Sequence, residues 1–102
     1  MVRIPTDRPP THPGEALRED FLPDAGLTQT ETARRLHMSF RRLNEIINGR
    51  RAVTPDTALR LAKLFRQTPD FWMSLQMRWD LYHALRSKAA RDLERIKPVA
   101  AA

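Results

Sequence analysis

The sequence predicts an all-α fold, five helices followed by a C-terminal helical extension, and three observations predict it. Hydroxyl residues that can cap a helix stand directly before four segments, at Thr28, Ser39, Thr54 and Thr68. Three segments open on a proline suited to a first helical position, Pro13, Pro55 and Pro69. Within the segments, apolar residues recur at spacings of three and four, the period of one helical face.

At 102 residues the chain is one domain of ordinary size, and 41% hydrophobic with 29% charged residues is the balance of a soluble globular protein. No run approaches the roughly 20 apolar residues of a membrane span, and MVRIPTDRPP lacks the apolar core of a signal peptide, so the expectation is a cytoplasmic protein with no membrane partner. The absence of cysteine excludes disulfides and thiolate metal sites. His12, His37 and His83 stand alone, without HxxxH or HExxH spacing, and read as loop or surface histidines. No Gly-rich phosphate loop or nucleophile motif appears either. The expectation is no enzyme: no catalytic residue, no metal and no cofactor.

The formal charge of +6 is compatible with a polyanionic partner, and its distribution says more. Residues 1–26 carry three basic against five acidic side chains, whereas residues 27–53 carry six against two.

Three regions follow along the chain. Residues 1–10, with Pro5, Pro9 and Pro10, form a flexible Pro-rich arm without regular structure of its own. Residues 11–85 form the folded domain. Its first helix starts at Pro13, pairs Leu17 with Phe21 at i and i+4, and is expected to end at Pro23. Glu15, Arg18, Glu19 and Asp20 lie on its outer side.

Residues 27–51 read as two short helices joined by a tight turn. Thr28 can cap Glu31 while Glu31 reaches back, the reciprocal capping box, and Thr32, Ala33 and Leu36 share the packed face. The pattern breaks at His37-Met38. Ser39 then caps residues 40–48, which stop at Gly49, a residue suited to the left-handed conformation. Leu43, Ile46 and Ile47 share one side of this second helix, and Arg41, Asn44, Glu45 and Asn48 the other, with Phe40 and Arg42 on the flanks. Arginine and asparagine carry the donors and acceptors that match guanine and adenine edges in the major groove. Arg50 and Arg51 follow at the rim, placed to meet phosphate oxygens. The plainer alternative is a helical hairpin in which Arg41 pairs with Glu45 at i+4 on a solvated face.

Val53 re-enters the core, and Thr54-Pro55 opens a scaffold helix with Ala58, Leu59, Leu61, Ala62 and Phe65 on its apolar face. Thr68-Pro69 opens a helix with two apolar stripes. Phe71, Trp72, Leu75, Trp79 and Tyr82 form one, and Met73, Met77, Leu81 and Ala84 form another roughly 150° away. A small domain covers one with its own core, so the Met73 stripe is expected to be a dimer interface. Residues 86–102 are the helical extension and tail, with Leu85, Ala89, Leu93 and Ile96 on one stripe as far as Pro98.

RPPTHPGEALREDFL (8–22), LTQTETARRL (27–36), NGRRAVTPDTALRLAKLF (48–65) and TPDFWMSLQ (68–76) together resemble the HigA-type antitoxins, the VapI-like branch of the lambda-repressor-like helix-turn-helix superfamily. The resemblance implies a dimeric repressor of its own operon that also binds and silences a HigB-type toxin similar to RelE mRNA endonucleases. By position it implies that Gln29, at the start of the first helix of the pair, and Ser39, Phe40, Arg41, Arg42 and Asn44 in the second contact DNA; these, with Thr28 at the first cap, make up the DNA-contacting set expected from the sequence. Arg50 and Arg51 complete it. His37 stands where such families usually have glycine, and Ile47 where related repressors often have an acid. The resemblance leaves the toxin surface open; Glu15, Glu19 and Asp20 are our candidates, because an RNA-binding enzyme is basic. A stand-alone regulator with no toxin is the alternative.

Overall fold

The computed structural model describes residues 9–100, so the expected arm lies almost wholly outside the described residues. Among the described residues there are six helices and no strand. Helix α1 spans residues 13–25 in three continuous pieces, α-helical Pro13–Ala16, π-helical Leu17–Phe21 and α-helical Leu22–Ala25. Then come α2 (Gln29–Arg35), α3 (Phe40–Ile47), α4 (Pro55–Phe65), α5 (Pro69–Leu85) and the short α6 (Ala90–Leu93). None of these helices is long and apolar enough to cross a membrane.

His12 starts α1, its Nδ1 accepting from the Gly14 N–H at 2.9 Å, while Pro13 brings no orphan N–H to the first position. This corrects the reading of His12 as a loop or surface residue: it is buried, with its ring edge-on to Trp79 at 4.9 Å between centroids. The expected stop at Pro23 is also corrected. The Leu22 N–H bonds to the Leu17 carbonyl five residues back, and this widened turn relieves the clash that a proline ring meets with the carbonyl of residue i−4. The helix continues to Gly26, whose φ of 66° makes the left-handed cap.

One core holds the helices together. Leu17 of α1, Leu43 and Ile46 of α3, Leu61 of α4 and Trp72 of α5 are completely buried at its centre, with Phe21, Phe65 and Met38 packed around them. Trp72 keeps its Nε1–H satisfied by donating to Gln67 Oε1 at 2.9 Å. Leu59 departs from the scaffold face expected for it and is exposed. On α5, Trp72 and Tyr82 are buried as their stripe requires, but Phe71 of the same stripe is exposed. Gln76, read as a polar separator, is only 4% exposed: its Oε1 accepts from the Val53 N–H at 2.8 Å and its Nε2 donates to Asp80 at 2.9 Å. It ties the linker before α4 to α5.

Among the described residues, only Met73 of the second stripe of α5 packs against the core. Met77, Leu81 and Ala84 are exposed and Met73 half-buried. With Ala52, Val53, Asp70 and Asp80, the side chains of Met73, Met77 and Leu81 line a groove of about 610 Å³. The extension does not continue α5 as one helix. Helix α5 ends at Leu85, where Arg86 leaves helical geometry at φ −102° and ψ 2°, and Ser87 Oγ donates to the Ala84 carbonyl at 2.7 Å. Arg86 stacks 3.6 Å over the Tyr82 ring. A single turn of helix, α6, follows, and Leu93, Ile96 and Val99 remain exposed.

Candidate nucleic-acid interface

Helices α2 and α3 form the pair that the sequence marks out. Thr28 Oγ1 accepts from the Glu31 N–H at 3.1 Å, and Ser39 Oγ from the Arg42 N–H at 3.1 Å. The first cap is one-sided. The Glu31 carboxylate turns forward onto Arg34 and Arg35, which hold it down to about 2, through hydrogen bonds first and charge second. Between the helices His37 takes φ 56°, a left-handed conformation that histidine tolerates better than most side chains. Gly49, at φ 73°, closes α3, and its N–H returns to Ile46 O at 3.0 Å.

The inner side of α3 is fixed by Leu43, Ile46 and Ile47, exposed by 0, 0 and 2%. Gly14 lies against the last two: a Cβ there would sit 1.9 Å from the Ile46 carbonyl oxygen. No side chain other than hydrogen lets α1 come so close. Ile47, where an acid would have needed a buried partner, simply joins the core.

The outer side is polar and open. Arg41 has 87% of its side chain exposed, and its ion-pair contact is a long 3.9 Å approach to Glu45. Phe40 beside it is half exposed. Asn44 donates from Nδ2 to Gln29 Oε1 at 3.0 Å, and Asn48 Nδ2 donates to Asn44 O and Oδ1 at 2.9 and 3.1 Å. Glu45, which the hairpin alternative paired with Arg41, is held by Arg51 at 2.6 Å, and that guanidinium is the main reason its carboxyl lies below the usual range. Arg50 is exposed beside it.

Arg42 stands apart from its neighbours. Its guanidinium turns to the start of α4, donating to Asp56 Oδ2 at 3.1 Å and Thr57 Oγ1 at 2.7 Å. Arg60 donates to the same Asp56 oxygen at 3.0 Å and to the Leu36 and His37 carbonyls at 2.9 and 3.1 Å. Arg42 first, then Arg60, pull the Asp56 carboxyl below its ordinary value. Sequence reasoning missed this group. The i, i+4 spacing of Asp56 and Arg60 was the available signal, but nothing local shows that both face α2 and α3.

The other expected sites lie elsewhere. Glu15, Glu19 and Asp20 are all exposed on α1, with Glu19 accepting from Arg18 at 2.9 Å. Glu15 and Arg18 border a second groove of about 470 Å³ with His12, Asn48 and Trp79. Among the described residues no His, Cys, Asp and Glu side chains gather in threes as a metal ion would need.

Residues 17–72 match the helix-turn-helix family model. The chain is 42% identical over 87 residues to virulence-associated protein I of Dichelobacter nodosus, covering 85% of this chain and 81% of that one. Its fold is similar to an addiction module antidote protein of the HigA family from Coxiella burnetii, at TM-score 0.80 and 39% identity over 89% of this chain and 99% of that one. It is equally similar to the Pseudomonas aeruginosa antitoxin HigA solved with the higBA promoter, at TM-score 0.82 and 33% identity over 89% and 99% of the two chains.

Proposed function

This chain belongs to the helix-turn-helix family and to its HigA-type antitoxin branch, and from that premise we propose that it represses its own operon as a dimer and neutralises a RelE-like mRNA endonuclease of the HigB type by binding it. The observation that carries the DNA half is the contrast across α3. Its inner face is locked at 0–2% exposure while Arg41 on its outer face is 87% exposed.

In this reading α3 enters the major groove, with Arg41, Phe40 and Asn44 toward base edges. Thr28, Gln29 and Ser39 line the approach of the helix starts to the backbone, and Arg50 and Arg51 meet phosphate. Phe40 suits a thymine methyl. Two copies joined through Met73, Met77, Leu81 and Ala84 place their α3 helices about one turn of DNA apart, roughly 34 Å, on a near-palindromic operator. The toxin docks on Glu15, Glu19 and Asp20, whose carboxylates complement a basic RNA-binding enzyme. All of this takes place in the cytoplasm, where both the operator and the mRNA are.

The test is co-purification with the product of the adjacent open reading frame, followed by binding to their shared promoter. We expect a stable complex and preference for the promoter over scrambled DNA. Promoter binding with no complex would leave a stand-alone regulator in its place. Reversing charge together at Glu15→Lys, Glu19→Lys and Asp20→Lys is expected to weaken the toxin complex and spare DNA binding; unchanged toxin affinity would remove that surface from the account.

A further inference from the structure

We propose that Arg42, Asp56 and Arg60 form a bracket that sets the angle between α2 and α3, so that Arg42 is a positioning residue of the head and does not read bases. The inference rests on the operator-binding reading above.

The three side chains tie α4 to both helices of the head, which Asn44 and Gln29 join to each other at a separate point. Arg60, on α4, holds the Leu36 and His37 carbonyls at 2.9 and 3.1 Å. These are the carbonyl of the residue that caps α2 and the carbonyl of the left-handed turn residue. Carbonyls at a helix end lack intrahelical partners and carry partial negative charge, so a guanidinium with donors in a fixed fork suits them. The same guanidinium reaches Asp56 Oδ2 at 3.0 Å, and from the other side Arg42 reaches that oxygen at 3.1 Å. Arg42 also donates to Thr57 Oγ1 at 2.7 Å, and Thr57 is almost wholly buried. One carboxylate therefore joins the end of α2, the turn and the first turn of α3 through the start of α4.

Geometry matters here more than fold stability. The apolar side of α3 fixes its depth, and directional bonds at both ends of the turn add a fixed pitch. Base readout fails when donors are misplaced by about an ångström. A bracket that holds Arg41 in register contributes to discrimination without touching DNA.

The two roles for Arg42 predict opposite signs at Asp56. If Arg42 met DNA, Asp56 would compete with the nucleic acid for it, and Asp56→Asn would free the guanidinium, remove a repulsive charge and tighten binding. If Arg42 is a strut, Asp56→Asn loosens the head.

The experiment uses the full chain and two probes, a duplex carrying the promoter upstream of its own gene and a scrambled duplex of equal composition. Wild type, Asp56→Asn, Arg60→Gln, Arg42→Gln and the Asp56→Asn/Arg42→Gln pair are compared by fluorescence anisotropy across salt concentrations. Amide hydrogen exchange over residues 36–42 is followed in parallel. We expect Asp56→Asn to weaken promoter binding about tenfold and scrambled binding by no more than about twofold, with Arg42→Gln adding nothing further in the pair. The salt slope of Asp56→Asn should stay as in wild type, and exchange over residues 36–42 should quicken.

Tighter promoter binding by Asp56→Asn, fully additive losses in the pair, or unaltered exchange would each overturn the bracket. Should wild type itself fail to distinguish the two duplexes, it is the operator reading that falls, and exchange at the turn then decides the bracket alone.

Discussion

The Asn44 side chain on α3 donates to Gln29 Oε1 on α2 at 3.0 Å, joining the two helices of the head at their polar edge. Asn48 in turn donates to the side-chain oxygen of Asn44 at 3.1 Å, so the three residues form a single polar chain along the outer face. A side chain held this way reaches DNA preoriented, and the residue that holds it counts toward binding even without contact. Gln29→Ala and Asn44→Ala should each weaken promoter binding by about 1–2 kcal/mol, with the double variant losing clearly less than the sum. Anisotropy on the four proteins checks this; a full sum would mean that each residue acts alone.

Gly14 predicts the sharpest stability loss. With the Ile46 carbonyl oxygen 1.9 Å from a built Cβ, Gly14→Ala has to push α1 off α3, and overpacking of this kind costs about 1–3 kcal/mol. Gly26→Ala has open space and loses only the conformational advantage of glycine at φ 66°, about 1 kcal/mol. Thermal melts should rank Gly14→Ala below Gly26→Ala, and the reverse order would contradict the close approach.

Much of this head was legible in the sequence, because its signals are local. Thr28, Ser39 and Gly49 act within one turn of themselves, and the spacing of Leu43, Ile46 and Ile47 names the buried face without knowledge of what buries it. The misreadings came where a distant partner decides. Gln76 looks like a surface amide until the Val53 N–H is placed against it. The bonds from Arg42 to Asp56 and Thr57 on α4 are likewise invisible along the chain. Pro23 looks like a stop because the π turn that accommodates it carries no sequence mark of its own. The break after Leu85 was equally hidden, since Leu85, Ala89, Leu93 and Ile96 keep helical spacing across it.

Acidification should act through His12. Burial lowers its pKa below the ordinary 6.5, against the smaller opposing pull of Asp80 and Glu15, and its Nδ1 must stay unprotonated to cap Gly14. The unfolded chain therefore binds the proton more readily than the folded one. This contribution to stability is complete above pH 6.5, declines as pH falls below it by at most about 1.4 kcal/mol per pH unit, and levels off beneath the folded value. Glu31 does not intrude, because its stabilising contribution is lost only as pH falls from 4.5 toward about 2. Urea midpoints between pH 8 and 5 should fall for wild type and stay flatter for His12→Asn, which keeps a capping oxygen. Parallel curves would remove His12 as the source.

The largely exposed stripe of α5 predicts the assembly. Met77→Glu places a charge in the groove formed with Met73 and Leu81, and should convert a dimer to monomers in sedimentation velocity while leaving helical content unchanged. Promoter affinity should fall with it, since one half-site supplies only part of the contact. A variant that remains dimeric would place the interface elsewhere.

The most direct test of the central claim, that the open face of α3 reads base pairs, is the ratio of promoter to scrambled-duplex affinity for Arg41→Ala. The account predicts a loss of about 1–3 kcal/mol on the promoter, a relaxed preference at one base pair and little change on scrambled DNA. Equal losses on both duplexes would contradict it, because Arg41 would then be contributing charge and no sequence information.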